Sequence, residues 1–132
     1  MNSNKNSPTG LTYPEDCKNS PLKELIKEMH IHFFNKDFKE IFHSLINEPT
    51  WVIIHSKKEM NSEQEIHHFL NNYKESIQAM HLNEIITHGK SAAAEGNFLL
   101  NGTLYHFCHL IKFNKAGKSG KIKEIRTFIL PS

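Results

Sequence analysis

The sequence has few of the features that mark membrane, exported or nucleic-acid-binding proteins. No apolar run approaches the roughly 18 residues that a membrane-spanning helix needs. The polar segment Met1–Asp16 has no apolar core of the kind found in signal peptides. The 16 Lys and Arg residues are interspersed with 14 Asp and Glu residues, so the net charge of +2 forms no basic stripe for nucleic acid or an anionic membrane. These absences predict a cytoplasmic protein with no nucleic-acid partner and no membrane partner.

Cysteine is scarce as well. The chain has two, Cys17 and Cys108, without the CxxC spacing of a redox or zinc motif. This predicts two free thiols in a reducing compartment, and the alternative is a single disulfide in an exported protein. Cys17 comes just before a predicted helix, where a thiolate would be stabilised, although a structural role is the simpler interpretation.

Histidine is abundant, with 10 residues, but its spacing does not indicate a metal site. His30 and His32 are two positions apart on a predicted helix, where side chains diverge, and His67 and His68 are adjacent. There is no HExxH motif. The sequence therefore predicts no bound metal, and it gives no indication of another cofactor.

The length of 132 residues suits one domain with a single core. Residues 1–14 are rich in Asn, Ser, Pro and Gly, which predicts a flexible N-terminal arm. Residues 15–132 contain no internal repeat and no low-complexity tract. We therefore expect them to fold as one domain.

The first half of this domain has mainly helical periodicity. Apolar residues recur at helical spacing over Pro21–Phe34, and a second, shorter helix is predicted after Asp37, with Phe38, Ile41, Phe42 and Leu45 on one side. Thr50–His55 is aromatic and β-branched, which predicts a strand buried on both faces. Asn61 or Ser62, with Glu65 three or four residues later, resembles a capping box and predicts a third helix. The inward stripe of that helix would be Ile66, Phe69, Leu70 and Tyr73.

The second half is organised around the dipeptide Asn101-Gly102, which lies between two alternating segments and is the strongest local signal for a β-hairpin. A two-residue turn pairs Leu100 with Thr103, which sets the residues that share a face. One face is aromatic with a single imidazole: Phe98, Tyr105, Gly96, Phe107, Ala94, His109, Ala92, Ile111 and Phe113. With further strands predicted over Ile77–Thr87 and Lys121–Leu130, the order of elements indicates an α+β architecture, with helices on one side of a strongly curved antiparallel sheet.

Several short motifs, taken in order, resemble the nuclear transport factor 2-like superfamily, also called SnoaL-like. They are Asn35-Lys36-Asp37, Trp51 after an Asn-Glu-Pro turn, Thr87-His88-Gly89, and Phe113-Asn114-Lys115-Ala116-Gly117 leading into Lys121-Ile122. The segment Asp16–Pro21 is similar to the one that opens helix one in a group of small bacterial single-domain members of unknown function. The resemblance covers Glu15–Leu130 and implies a cone-shaped roll, in which the curved sheet and three helices from the N-terminal half enclose a pocket.

The superfamily includes isomerases, cyclases, dehydratases, epoxide hydrolases and non-catalytic adaptors, so the resemblance implies no single activity. The last hairpin is similar to that of ketosteroid isomerase, and this places His109 at the position of that enzyme's oxyanion-hole acid. Met29 and Ile53 stand about where the enzyme has its tyrosine donor and its general-base aspartate. Because that reaction needs both groups, we do not expect it here.

The leading hypothesis is a protein that binds a small apolar or aromatic metabolite in the pocket, with His109 contacting the one polar group of the ligand. The pocket would be lined by Met29, Phe33, Trp51, Ile53, Tyr105, Phe107, His109 and Phe128. Plainer interpretations make His109 a hydrogen-bonded core group and Trp51 a core residue. One alternative function is a cyclase, isomerase or hydrolase that uses His109 as acid or base with help from Tyr105, and another is a non-catalytic dimeric adaptor.

The second face of the predicted hairpin is mixed in character. Its residues are Leu99, Leu104, Asn97, His106, Glu95, Cys108, Ala93, Leu110, Ser91 and Lys112. A half-apolar sheet face with no helix to cover it predicts a homodimer interface, and the alternative is an ordinary solvated face. The resemblance points the same way, since members of the superfamily commonly pair through this side of the sheet.

Overall fold

The computed structural model describes residues 10–14, 20–72 and 77–132, which form three helices and seven strands. The helices are α1 (Pro21–Phe34), α2 (Phe38–Phe42) and α3 (Glu63–Asn71). The strands are β1 (Leu11–Thr12), β2 (Leu45–Ile53), β3 (Lys58–Met60), β4 (Ile77–His88), β5 (Ser91–Leu100), β6 (Thr103–Phe113) and β7 (Ile122–Pro131). All seven strands belong to one curved, unclosed sheet in the order β1-β4-β5-β6-β7-β2-β3. The predicted α+β fold class is confirmed.

The helices begin where local signals place them. Pro21 occupies the first turn of α1 after Ser20, as predicted. At the start of α3 the Ser62 hydroxyl accepts a hydrogen bond from the Glu65 backbone N–H at 3.1 Å, and the Glu65 carboxylate accepts one from the Asn61 N–H at 2.8 Å. The predicted capping box is therefore confirmed, and Ser62 is the N-cap of the two candidates Asn61 and Ser62. Within the described ranges, no helix combines the length and the apolar character of a membrane span.

The central hairpin has the register that its turn dictates. Every β5–β6 pair agrees with the prediction, from Leu100 opposite Thr103 to Ser91 opposite Lys112. Asn101 and Gly102 have φ values of 49° and 83°, the left-handed conformation that a tight hairpin turn needs. This register separates the inner, aromatic face of the sheet from its outer, mixed face.

Gly96 marks a close approach between β4 and β5. The register of these strands shifts between Leu82 and Glu84, directly beside Gly96. A Cβ atom at this position would overlap the backbone carbonyl of His81. Glycine is needed here because any side chain would collide with backbone, which cannot rotate away.

Three predictions about the N-terminal half are corrected by the structure. β1 (Leu11–Thr12) pairs with β4, and Leu11 is buried, so the flexible arm predicted for residues 1–14 is wrong at these two positions; apolar burial and ladder hydrogen bonds fix them. β2 begins at Leu45, which was predicted to be helical, and its pairing with β7 is interrupted around Pro49, which has no N–H to donate. β3 (Lys58–Met60) has no counterpart in the sequence prediction, since three residues, two of them charged, carry no strand pattern.

Residues 1–9, Cys17 and Tyr73 lie outside the described residues.

Candidate functional site

The inner face of the sheet and the three helices surround a cavity of about 370 Å³, a volume within the range of small-molecule sites. Seven of the eight residues predicted for the pocket line this cavity: Met29, Phe33, Trp51, Ile53, Tyr105, Phe107 and His109. The remaining lining residues are His30, Ile41, His55, Ser56, Lys58, Phe69, Leu70, Ile77, Met80, Phe98, Leu100, Ile125, Thr127 and Ile129. Most of this surface is apolar. Its few polar groups lie in two places, around His30 and His109, which we call the floor of the cavity, and at the opening of the cavity.

Phe128 is the predicted residue that the structure places elsewhere. It pairs with Cys108 and is 37% exposed on the outer face. Its neighbours Thr127 and Ile129 line the cavity instead. The prediction fails by one residue because the loop before β7 left the register of that strand open, and a shift of one residue exchanges the two faces.

A chain of hydrogen bonds fixes the ring of His109. Thr127 lies opposite His109 in the β6–β7 ladder, and its hydroxyl is 2.8 Å from the His109 Nδ1. The Trp51 Nε1–H donates to the same hydroxyl at 2.7 Å. Because the indole can only donate, the Thr127 oxygen accepts from Trp51, and we assign the hydroxyl hydrogen of Thr127 to His109 Nδ1. With this assignment the Thr127 hydroxyl both accepts and donates, and the His109 proton lies on Nε2, so that His109 offers an N–H donor.

His30 is a second histidine that lines the cavity, and it was not among the residues predicted for the pocket. It lies on α1, is 5% exposed, and its Nδ1–H donates to the Ile26 carbonyl at 2.9 Å. In the neutral ring the Nε2 atom is then an acceptor. Leu22, Ile26 and His30 follow each other at i, i+4 spacing, and this line of buried residues is the sequence signal that indicates an inward His30.

Both imidazoles are uncharged at neutral pH. Burial, together with the neighbouring His30, lowers the pKa of His109 to about 3. Burial also lowers the pKa of His30, against the smaller raising effect of its hydrogen bond to Ile26. The two ring centroids are 5.3 Å apart, and the Phe107 ring lies 4.9 Å from that of His109 and 5.8 Å from that of His30. The floor of the cavity therefore presents one neutral donor and one neutral acceptor among aromatic rings.

The aromatic walls stack across strands. Phe98 and Tyr105 face each other in the β5–β6 ladder with their rings nearly parallel and 5.4 Å apart. The rings of Trp51 and of Phe69 on α3 pack edge to face, with their centroids 6.4 Å apart. These contacts hold the walls as flat, rigid surfaces that suit a ring-shaped ligand.

The second group of polar residues lies at the β2–β3 turn. His55, Ser56 and Lys58 are the exposed members of the lining and so mark an opening of the cavity. Among the described residues that line the cavity there is no aspartate, glutamate or arginine. The opening is thus basic and the interior neutral.

Two other kinds of chemistry find no support in the geometry. Within residues 10–14, 20–72 and 77–132, no three histidine, cysteine or acidic side chains are grouped as a metal would require. Cys108 carries a free thiol on the outer face, and burial together with the nearby Glu95 carboxylate raises its pKa. A Cys108–His109 dyad is excluded because the two side chains lie on opposite faces of β6.

Comparisons with known proteins agree on the fold. No family model matches the sequence, and no characterised protein matches it at a significant level. An NTF-2 like protein of unknown function from Burkholderia xenovorans superposes with a TM-score of 0.74 at 11% identity, over 86% of this chain and 85% of the other. A steroid delta-isomerase from Pseudomonas aeruginosa superposes with a TM-score of 0.67 at 14% identity, over 83% and 79% of the two chains.

A designed protein is similar to the same extent. A de novo protein with a curved β-sheet superposes with a TM-score of 0.70 at 15% identity, covering 84% of this chain and 86% of its own. At such low identities the superpositions establish architecture and carry no activity with them. The resemblance predicted from the sequence is confirmed at that level, and the chain has the nuclear transport factor 2-like fold.

Proposed function

We propose that the protein binds a small, largely apolar or aromatic metabolite in the cavity, with a polar group of the ligand held between His109 and His30. The observation that carries this proposal is the hydrogen-bond chain from Trp51 through Thr127, which leaves the His109 Nε2–H without a protein acceptor among the described residues. A half-buried donor in an apolar cavity gains most from a ligand that accepts its hydrogen bond. A cytoplasmic location, as predicted from the sequence, is part of the proposal.

The donor and acceptor pair favours a hydroxyl group over a carbonyl. A hydroxyl can accept from the His109 Nε2–H and donate to the His30 Nε2, whereas a carbonyl can only accept and would leave His30 unsatisfied. A carboxylate would be placed between two neutral rings in an apolar surrounding, which costs several kcal/mol of desolvation without a compensating cation. A phenol or an alcohol on a ring system therefore fits the floor of the cavity best.

The alternative functions have less support. Acid catalysis by His109 would need a protonated imidazole, and its pKa of about 3 leaves the ring neutral at physiological pH. No carboxylate or arginine lines the cavity beside it within the described residues. An adaptor without pocket chemistry would have no need of an open cavity, so binding is the function that the geometry supports best.

The binding proposal is tested by calorimetric titration of the full chain with 2-naphthol. We expect saturable binding that weakens about tenfold in His109→Ala, since one hydrogen bond to a neutral group contributes about 1 to 1.5 kcal/mol. The melting temperature of this variant should stay close to that of the unchanged chain. His106→Ala, on the outer face of the same strand, is the matched control and should bind 2-naphthol normally.

Two results would contradict the proposal. One is the absence of any saturable heat with 2-naphthol at millimolar concentration. The other is a large loss of thermal stability in His109→Ala together with unchanged affinity, which would make His109 a structural residue. Tryptophan fluorescence gives an independent check, because the chain has one tryptophan and Trp51 lines the cavity.

We further propose that two copies of the chain pair through the outer face of the sheet. The large exposed apolar residues lie on β4, β6 and β7: Ile86, Leu104, Leu110, Phe128 and Leu130. Leu110 lies opposite Ala93, which in turn lies opposite Ile86, so part of this set forms a continuous row across three strands. A patch of this kind is compatible with a two-fold interface, in which the same surface contacts itself.

Sedimentation velocity at micromolar concentration tests the pairing. We expect a dimer for the unchanged chain and a monomer for Leu110→Glu, because a carboxylate would be buried at the centre of the patch. Lys39→Glu on α2, away from this face, is the control and should remain dimeric. A monomer for the unchanged chain would remove the proposal without affecting the binding proposal.

A further inference from the structure

We propose that the ligand is an amphipathic carboxylate: a ring system whose hydroxyl is held at the floor of the cavity and whose carboxylate is held by Lys58 at the opening. This inference rests on the proposed function, because it assigns the second end of the ligand whose first end lies at His109 and His30. It commits to a chemical class, a ring-bearing hydroxy acid.

The strand register puts Lys58 and His109 in one row on the same face of the sheet. Lys58 of β3 pairs with Ile53 of β2, Ile53 pairs with Thr127 of β7, and Thr127 pairs with His109 of β6. Side chains that lie opposite each other in adjacent strands point to the same face. Ile53 and Thr127 are buried and line the cavity, so the row begins at the opening with Lys58 and ends at the floor with His109.

The length of this row sets the size of the ligand. Four adjacent strands are separated by three spacings of about 4.8 Å, which puts the Cα atoms of Lys58 and His109 roughly 14 Å apart along the sheet. The two side chains reach toward each other over part of that distance. What is left between them suits a body of two fused rings, with one polar group at each end.

The charged residues at the opening of the cavity indicate that the ligand group held there is an anion. Lys58 is exposed, and in the part of the chain that the structure describes it forms no ion pair. His55 lies at the same opening, and no acidic residue among the described lining competes for the ammonium group. A ligand carboxylate at this level keeps part of its hydration while it pairs with Lys58.

The same distribution gives the ligand a single orientation. A carboxylate cannot exchange places with the hydroxyl, because the floor offers only two uncharged imidazoles and apolar walls. Placing an ion there costs more free energy of desolvation than hydrogen bonds from neutral donors can recover. The opening therefore takes the anion and the floor takes the hydroxyl.

Calorimetry with two matched probes tests the inference on the full chain. 6-Hydroxy-2-naphthoic acid has the fused rings and the hydroxyl of 2-naphthol and adds a carboxylate at the far end. We expect it to bind about two to five times more tightly than 2-naphthol at low ionic strength, the range for an ion pair near the surface. Lys58→Gln should remove this preference, so that the ratio of the two affinities falls to about one.

The controls separate a specific pair from general attraction. Lys39→Gln makes the same change in net charge on α2, outside the cavity lining, and should keep the full preference. Salt at about 0.5 M should reduce the preference, since it screens a solvent-facing pair. His109→Ala should weaken both probes equally.

The outcomes distinguish this inference from the proposed function. If 2-naphthol binds and the hydroxy acid binds no more tightly, the carboxylate assignment is overturned and the cavity remains a site for neutral ligands. If the preference survives in Lys58→Gln, the role given to Lys58 is wrong. If neither probe binds, both proposals are overturned.

Discussion

His109 and Cys108 are neighbours on β6, and their ionisable side chains lie on opposite faces of the sheet. His109 points to the inner face, where burial lowers its pKa to about 3 and its Nδ1 is hydrogen-bonded to Thr127. Cys108 points to the outer face, where partial burial and the Glu95 carboxylate raise its pKa. In both places the neutral form is favoured, because a low dielectric penalises charge of either sign.

The difference lies in what the neutral group can then do. The imidazole retains a free N–H in a cavity of ligand size, so its neutrality is useful for binding an uncharged polar group. The thiol retains only a weak donor beside a carboxylate, so its neutrality makes it unreactive. The inner face of the sheet thus lines a cavity, and the outer face exposes large apolar side chains.

The largest effect is expected from Gly96→Ala, because this change disrupts β5, a strand that contributes side chains to both faces of the sheet. The new Cβ would overlap the His81 carbonyl, so β4 and β5 must separate or the bulge must move. We expect a loss of about 3 kcal/mol in the free energy of unfolding, measured by urea denaturation. Asn97→Ala, one residue along β5, is the control and should cost less than about 1 kcal/mol. Equal losses in the two variants would show that the close approach at Gly96 is unimportant.

The second prediction concerns the stability that the protein loses at acid pH because of the histidines on the inner face. The His109 imidazole takes up a proton near pH 6.5 in an unfolded chain and only near pH 3 in the folded protein. Stability from its neutral ring is therefore complete above about pH 6.5 and is lost as the pH falls toward 3, by up to about 1.4 kcal/mol per pH unit. His30 contributes in the same direction, because its pKa is also lowered. Calorimetric melting between pH 7.5 and 4.5 should show this loss.

Variants assign that pH dependence to one face. His109→Gln should make stability less dependent on pH, while His106→Gln, exposed on the outer face of the same strand, should leave the dependence unchanged. If His106→Gln flattened the profile and His109→Gln did not, the contrast between the faces would be reversed.

The third prediction separates the faces by function, using two neighbours on β7. Ile129→Ala removes a cavity wall and should weaken 2-naphthol binding about threefold to tenfold, through the loss of buried apolar contact. Phe128→Ala removes an outer-face side chain and should leave that affinity unchanged while it weakens self-association in sedimentation. Loss of 2-naphthol affinity in Phe128→Ala would mean that the register of β7 is displaced by one residue.

The smallest effect is expected at Cys108. In a Cys17→Ser background its reaction with 5,5′-dithiobis(2-nitrobenzoate) at pH 7.5 should be slower than that of free cysteine, because the raised pKa leaves little thiolate. Glu95→Gln removes the neighbouring charge and should accelerate the reaction a few fold, with no change in thermal stability. An unchanged rate in Glu95→Gln would show that burial alone protects the thiol.

Much of the fold was accessible from the sequence because its signals are local. Pro21 and Ser62 mark helix starts through groups within the same turn, and Asn101-Gly102 fixes ten cross-strand pairs through a two-residue turn. The cavity was accessible to the extent that its residues lie on those elements, as His109 and Phe107 do. β1 and β3 were missed because two or three residues carry too little pattern to predict a strand.

Local signals in the sequence are enough to specify the longer elements and the face that each hairpin residue occupies, since a turn and a period of two need no distant partner. The side chains that meet inside the cavity are brought together by the tertiary structure: Thr127 beside His109, His30 across from His109, and Lys58 at the end of their row. The hydrogen bond from Trp51 to Thr127 joins residues 76 positions apart. Contacts of this kind depend on how separate strands and helices come together, and no local signal in the chain specifies them.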